Sequence, residues 1–208
     1  MSSLTIYKDF NTETPRERKY NETNLISGDK EGLLGDKNVK EKLLAEVRNS
    51  SKYKREFEAG YDVNDTMDLF KLALKMDVIA VYKDLYVFNC NGVKGVSTDK
   101  EKHKGCNQFG YGFITKKEVD DLFGLKKISK KAKLMLEDKI DFELNELNSY
   151  LMGEVYGFKV CHNDGEVIDS CEGFFSIDFD KNGFKETLDE KYHHLIPEAL
   201  EKLLKGNT

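Results

Sequence analysis

The sequence predicts an α+β fold: an antiparallel sheet of about six strands, including a hairpin at 153–175, packed by five or six helices. Three observations lead there. β-branched and aromatic runs, punctuated by turn-forming residues, cluster at 78–115 and 153–175. Stretches with apolar residues at helical spacing lie around those runs. Hydrophobic residues make up 39% of the 208 positions, and 13 Phe and 10 Tyr offset the absence of Trp, enough for a sizeable core.

Residues 1–37 are polar, rich in Asn, Thr, Glu and Gly, and show no sustained period, so they read as an irregular or partly extended N-terminal arm. A single α+β domain is expected over 38–208. Its first helix opens at Asn38, with Val39, Leu43, Leu44 and Val47 on one face. The stretch 49–64 is ambiguous. Asp65 or Thr66 caps a second helix whose apolar face is Leu69, Phe70, Leu72, Ala73 and Met76. A strand follows over 78–89, with Lys83-Asp84 as a break or turn, and Asn91-Gly92 turns into the next. Phe109, Tyr111 and Phe113 alternate along a strand at 109–115. Thr115 and Glu118 have capping-box spacing at the start of a helix that Gly124 ends. Ser129 opens the longest helix, to about Tyr150, with Leu136, Ile140, Leu144 and Leu147 as its buried stripe. A last helix runs from about Pro197, suited to a first helical turn, to Lys205.

Lys plus Arg total 33 and Asp plus Glu 38, a formal net charge of −5 with a pI near 5.5. That balance argues against direct nucleic-acid binding, which needs cations in excess, and a DNA mimic would carry far more carboxylates. Two local basic clusters stand out: Lys126-Lys127 with Lys130-Lys131, and Lys100, Lys102, His103 and Lys104. Each reads as a solvated face. The opening MSSLTIYKDF has no basic region followed by an apolar stretch, and the run Val78–Tyr82 falls far short of the roughly 18 residues of a membrane span. Cys90, Cys106, Cys161 and Cys171 form no CxxC pair and are expected to be reduced thiols. The expectation is a cytoplasmic protein without a membrane partner.

The hairpin is the most informative stretch. GEVYGFKVCHN and EVIDSCEGFF are joined by Asp164-Gly165, a two-residue turn signal. A tight turn would place His162 opposite Val167, Cys161 opposite Ile168 and Phe158 opposite Cys171, which keeps the two cysteines apart. Tyr156, Phe158 and Val160 would share one face.

The segment Tyr150-Leu-Met-Gly-Glu-Val-Tyr-Gly-Phe158, followed by Asp164-Gly165-Glu166 and Asp169-Ser170-Cys171, resembles a protein family common in bacteriophages and mobile elements. Thr14-Pro15-Arg16-Glu17, Leu34-Gly35-Asp36 and Phe113-Ile114-Thr115-Lys116-Lys117-Glu118 are similar to its upstream blocks, so the resemblance spans most of the chain. Glu172 stands where the family usually has Trp, Phe175-Ser176 replaces its Tyr-Gly, and the element around Cys106 is shortened. The resemblance implies a phage-made protein working in the cytoplasm of a host bacterium.

Several residues are candidates for chemistry. Asp178, Asp180, Asn182 and Gly183, with Asp189 beyond them, come close to a calcium loop, although Asp189 is shorter than the usual Glu and Lys185 replaces an apolar residue. A polar strand-to-helix turn explains the same residues, so no cofactor is expected. A zinc site from Cys161, His162, Cys171, His193 and His194 lacks standard ligand spacing. Arg16 and Glu17 either pair with each other or anchor the arm.

Two readings of function follow. The first is an inhibitor that binds a host defence protein or nuclease complex, as anti-CRISPR and antirestriction proteins do, using Tyr and Phe as anchors. The second is a protein that binds or cleaves a nucleotide signal, with Asp169, Cys171 and Glu172 in a pocket and Tyr156 stacked on the base. A lone Cys at a strand end is more often a packed small residue, so the first is preferred.

Overall fold

The computed structural model describes residues 2–17, 21–27, 35–50, 61–90, 93–101 and 108–206. Six α-helices and seven strands are found among them, the strands in two antiparallel sheets. The α+β class is therefore as expected, but the strands are shared between two sheets, and the chain divides into two compact units: Met1–Thr14 with Glu146–Thr208, and Pro15–Asn145. The segment 1–37, expected as an irregular or partly extended arm, is divided between these units. The segment 1–37 supplies one strand to each sheet, β1 (Ser2–Lys8) and β2 (Asn24–Ser27). Each has only two buried aliphatic positions, Leu4 and Ile6 in one, Leu25 and Ile26 in the other. Such short signals become strands only when a partner edge is present.

In the unit Pro15–Asn145 the sheet order is β2-β5-β3-β4, with β3 at Ile79–Cys90, β4 at Val93–Ser97 and β5 at Gln108–Thr115. The expected break at Lys83-Asp84 is absent, because Lys83 pairs opposite Gly112 and Asp84 opposite Tyr111 within one continuous ladder. Helices α1 (Val39–Asn49) and α2 (Thr66–Lys75) pack on one face. Val39, Leu43, Val47, Leu69, Phe70, Leu72 and Ala73 meet Ile26, Tyr111 and Phe113 there, and Phe70 stacks on Tyr111 with ring centres 3.8 Å apart. Asp65 caps α2 by accepting from the Met67 and Asp68 amides at 2.9 Å, which settles the choice between Asp65 and Thr66. Against the other face lies the part of α4 (Lys130–Leu151) belonging to this unit. A Cβ at Gly112 would sit 2.7 Å from Ile140 Cγ2, so this approach requires glycine. Gly124, at φ 62, ends α3 (Lys116–Phe123) as expected.

The Thr115–Glu118 capping box forms, and the rest of a polar cluster is built on it. Glu118 also accepts from Asn24 Nδ2 at 2.8 Å and from Lys42, while the Thr115 hydroxyl donates to Glu46 Oε1 at 3.3 Å. Burial, assisted by the nearby Glu118 charge, raises the Glu46 carboxyl above its ordinary value; the Thr115 hydrogen bond works the other way.

In the other unit the sheet order is β1-β6-β7, with β6 at Val155–His162 and β7 at Val167–Phe175. Leu4, Ile6, Tyr156, Phe158 and Val160 form a core with Phe179, Phe184 and residues of α5 (Phe184–Thr187) and α6 (Ile196–Lys205). The hairpin differs from expectation by one residue. The Gly165 amide donates to the His162 carbonyl at 3.0 Å and the His162 amide to the Glu166 carbonyl at 2.8 Å. The loop is therefore Asn163-Asp164-Gly165, and only Gly165, at φ 89, is left-handed. A two-residue type I′ turn needs positive φ at both central residues, and Asp164 does not supply it. Cys161 consequently pairs with Val167, and a register shift at Ile168 restores Phe158 opposite Cys171.

Candidate functional site

Arg16 is a buried anchor. Its guanidinium donates to both Asp36 oxygens at 2.7 Å, to the Thr23 carbonyl at 2.9 Å and to Glu143. The two carboxylates are further held by the Leu25 and Glu22 amides, each at 2.7 Å, and by the Thr23 hydroxyl at 2.6 Å. Burial opposes the Arg16 charge, but its bonds to Asp36 and Glu143 outweigh that and raise its pKa. Of the two roles open for Arg16 and Glu17, the anchor is the one seen. The Pro15–Glu17 turn and Asp36 meet through it, and Glu17 pairs with Lys37 instead.

The hairpin residues do not assemble as the nucleotide reading required. Tyr156 lies in the core, edge-on to Phe179 with ring centres 5.8 Å apart, so it has no free face for a base. Cys171, opposite Phe158, packs partly against the same core, and Asp169 lies opposite Val160 on that face. Glu172 is on the opposite, outer face, where it accepts from the Tyr7 hydroxyl at 2.7 Å. The Tyr7 ring crosses Gly157 to make that bond; a Cβ at Gly157 would lie 2.9 Å from it. Burial and the Glu172 bond push the Tyr7 phenol above its ordinary pKa. Cys161 and Cys171 are free thiols, as expected from their spacing; Cys106, His103, Lys102 and Lys104 lie outside the described residues.

The 178–189 loop spends its oxygens locally. Asp178 pairs with Lys181 at 2.9 Å, Asp180 with Lys185, and Asp189 with Lys191 at 2.6 Å while capping the 3-10 turn Glu190–Leu195. Asn182 donates to the Ser176 carbonyl and accepts from the Phe184 amide. His193 Nε2 lies 2.8 Å from the Leu188 carbonyl and so carries the proton. Among the described residues no group of three or more His, Cys, Asp or Glu side chains is placed to hold a metal ion, and the zinc and calcium sets are not brought together.

Instead, the structure brings Lys100 of one basic cluster and Lys126 and Lys127 of the other to adjoining cavities. Two adjoining cavities, of about 490 and 620 Å³, share Ile79, Ala80 and Lys133 and run beside the first half of β3. Each falls in the size range of ligand-binding clefts. Lys83, Lys100, Lys116, Lys126, Lys127 and Lys133 line them, against Asp77, Asp84 and Asp120. The groove is therefore positive in a chain that is negative overall. Lys83 is held by Asp141, and Lys116 by Asp77 at 2.6 Å, whereas Lys100, Lys126 and Lys127 make no ion pair among the described residues. Leu74, Val81, Leu125 and Ile128 give the groove an apolar lining, and Tyr82 is half-exposed along it. Such a surface can hold carboxylates at unpaired ammonium groups and apolar side chains between them. Lys116, from the strand-to-helix corner, and Tyr82 were not singled out from the sequence; only the fold carries them to the same place as Lys100 and Lys126. No helix among the described residues is long and apolar enough to cross a membrane.

Comparison with protein-family models, curated proteins and solved structures yields no match.

Proposed function

We propose that the protein acts by binding a partner protein through the lysine groove, as a phage accessory inhibitor of a host defence complex. The groove is the observation that supports the reading: Lys100, Lys126 and Lys127, which make no ion pair among the described residues, frame an apolar lining and the half-exposed Tyr82, and tyrosine is an anchor that interfaces favour. The resemblance to phage and mobile-element proteins supplies the setting, a bacterial cytoplasm. Tagged protein expressed in a host with an active restriction or CRISPR defence is expected to co-purify with one component of that defence near equal stoichiometry. It is also expected to raise the plating efficiency of a sensitive phage. The charge-reversed variant K126E/K127E/K133E, altered only at exposed lysines, should lose both effects. An unchanged plating efficiency with no stoichiometric partner would refute the inhibitor reading.

A further inference from the structure

We propose that the occupant of the groove is an extended acidic segment of a partner protein that adds a strand to β3 beside Ile79–Leu85. This rests on the groove being the binding surface and names what it takes. Strand β4 covers β3 only from Tyr86 to Cys90. Among the described residues, no strand pairs with that side of Ile79–Leu85, while the opposite side is occupied by β5. Seven residues of backbone, about 23 Å at ~3.3 Å per residue, therefore present an edge inside a groove.

An open edge is a template for another chain, and proteins commonly guard one with lysines on the strand itself. The arrangement here is different. Of the six lysines, only Lys83 is on β3, and Asp141 holds it. The others flank the edge: Lys100 beyond β4, Lys116 at the start of α3, Lys126 and Lys127 between α3 and α4, and Lys133 on α4. Such a frame attracts acidic side chains instead of capping the strand. Backbone pairing would provide affinity, and the ammonium groups and apolar lining around the edge would select acidic and apolar side chains. A nucleic acid offers the negative charge but no amide ladder, and the chain's net charge of −5 repels it.

The test uses the full chain and a labelled, acetylated seven-residue peptide alternating Glu and Val, followed by fluorescence anisotropy. Two comparisons accompany it: the same peptide with alternate backbone amides N-methylated, and a single-stranded oligodeoxynucleotide of similar charge as competitor. The peptide should bind, weaken as salt is raised, and lose about tenfold or more on N-methylation, which removes strand hydrogen bonds but no charge. K126E/K127E, checked for unchanged circular dichroism, should weaken it similarly. Equal binding of the N-methylated peptide would overturn strand addition and leave the groove reading standing. Binding indifferent to K126E/K127E, or no binding, would overturn the proposal, with partner capture by K126E/K127E/K133E deciding separately whether the groove matters. Displacement by the oligonucleotide at a lower concentration than unlabelled peptide would assign the groove to nucleic acid and overturn it too.

Discussion

Replacing Arg16 by Met tests how the N-terminal segment is held. Arg16 and Glu143 expose less than a tenth of their side chains and Asp36 under a fifth. The substitution keeps most of the aliphatic stem and removes the one cation that, among the described residues, pairs with both carboxylates. Asp36 and Glu143 would then lie in a poorly solvated site, held among the described residues by the Leu25 and Glu22 amides and the Thr23 hydroxyl. Removing one partner of a buried charged network costs about 3–5 kcal/mol, because the remaining charge is uncompensated. For a chain of this length that corresponds to roughly 10 °C in Tm. Urea unfolding followed by circular dichroism, with calorimetry, reads both. Arg16→Lys, which keeps the charge but cannot form the two-pronged bond to Asp36, should fall between wild type and Met. A loss below about 1 kcal/mol for Arg16→Met, the range of exposed ion pairs, would refute the argument.

Two further predictions concern stability. Glu46 has a folded-state pKa raised by burial, so its contribution favours the folded state at acid pH and is lost as pH rises through the folded value. Glu46→Gln should accordingly raise Tm at pH 7, with the gain disappearing below the ordinary Glu range; a gain that persists at low pH would contradict the cause given. Gly112→Ala places a Cβ against Ile140, which has no solvent to move into, and should cost about 1–3 kcal/mol in urea unfolding. A neutral Gly112→Ala would mean that α4 does not rest on β5 at that point.

Local signals carried much of the fold. The Asp65 cap, the Thr115–Glu118 box, the Gly124 stop and the stripe Leu136, Ile140, Leu144 and Leu147 each involve residues within a few turns of one another, and each is present. The hairpin shows the limit of that reading. Asp164-Gly165 identified the turn, but the φ actually taken at Asp164 set its length and shifted Cys161 by one place. The N-terminal segment exceeded it: nothing local in Ser2–Lys8 or Asn24–Ser27 makes a strand without β6 and β5 beside them.

The same contrast holds for function. Sequence alone determined the helical faces, the caps, the existence of the hairpin and the two lysine clusters, because these depend on periodicity, backbone preference and composition. Only the tertiary structure decided that Tyr156 is a core residue, that Arg16 ties Asp36 to Glu143, and that Lys100 and Lys126 face one groove. The reason is that β4 is short: by pairing with β3 only from Tyr86 onward, it leaves an edge to which separate parts of the chain bring their charges.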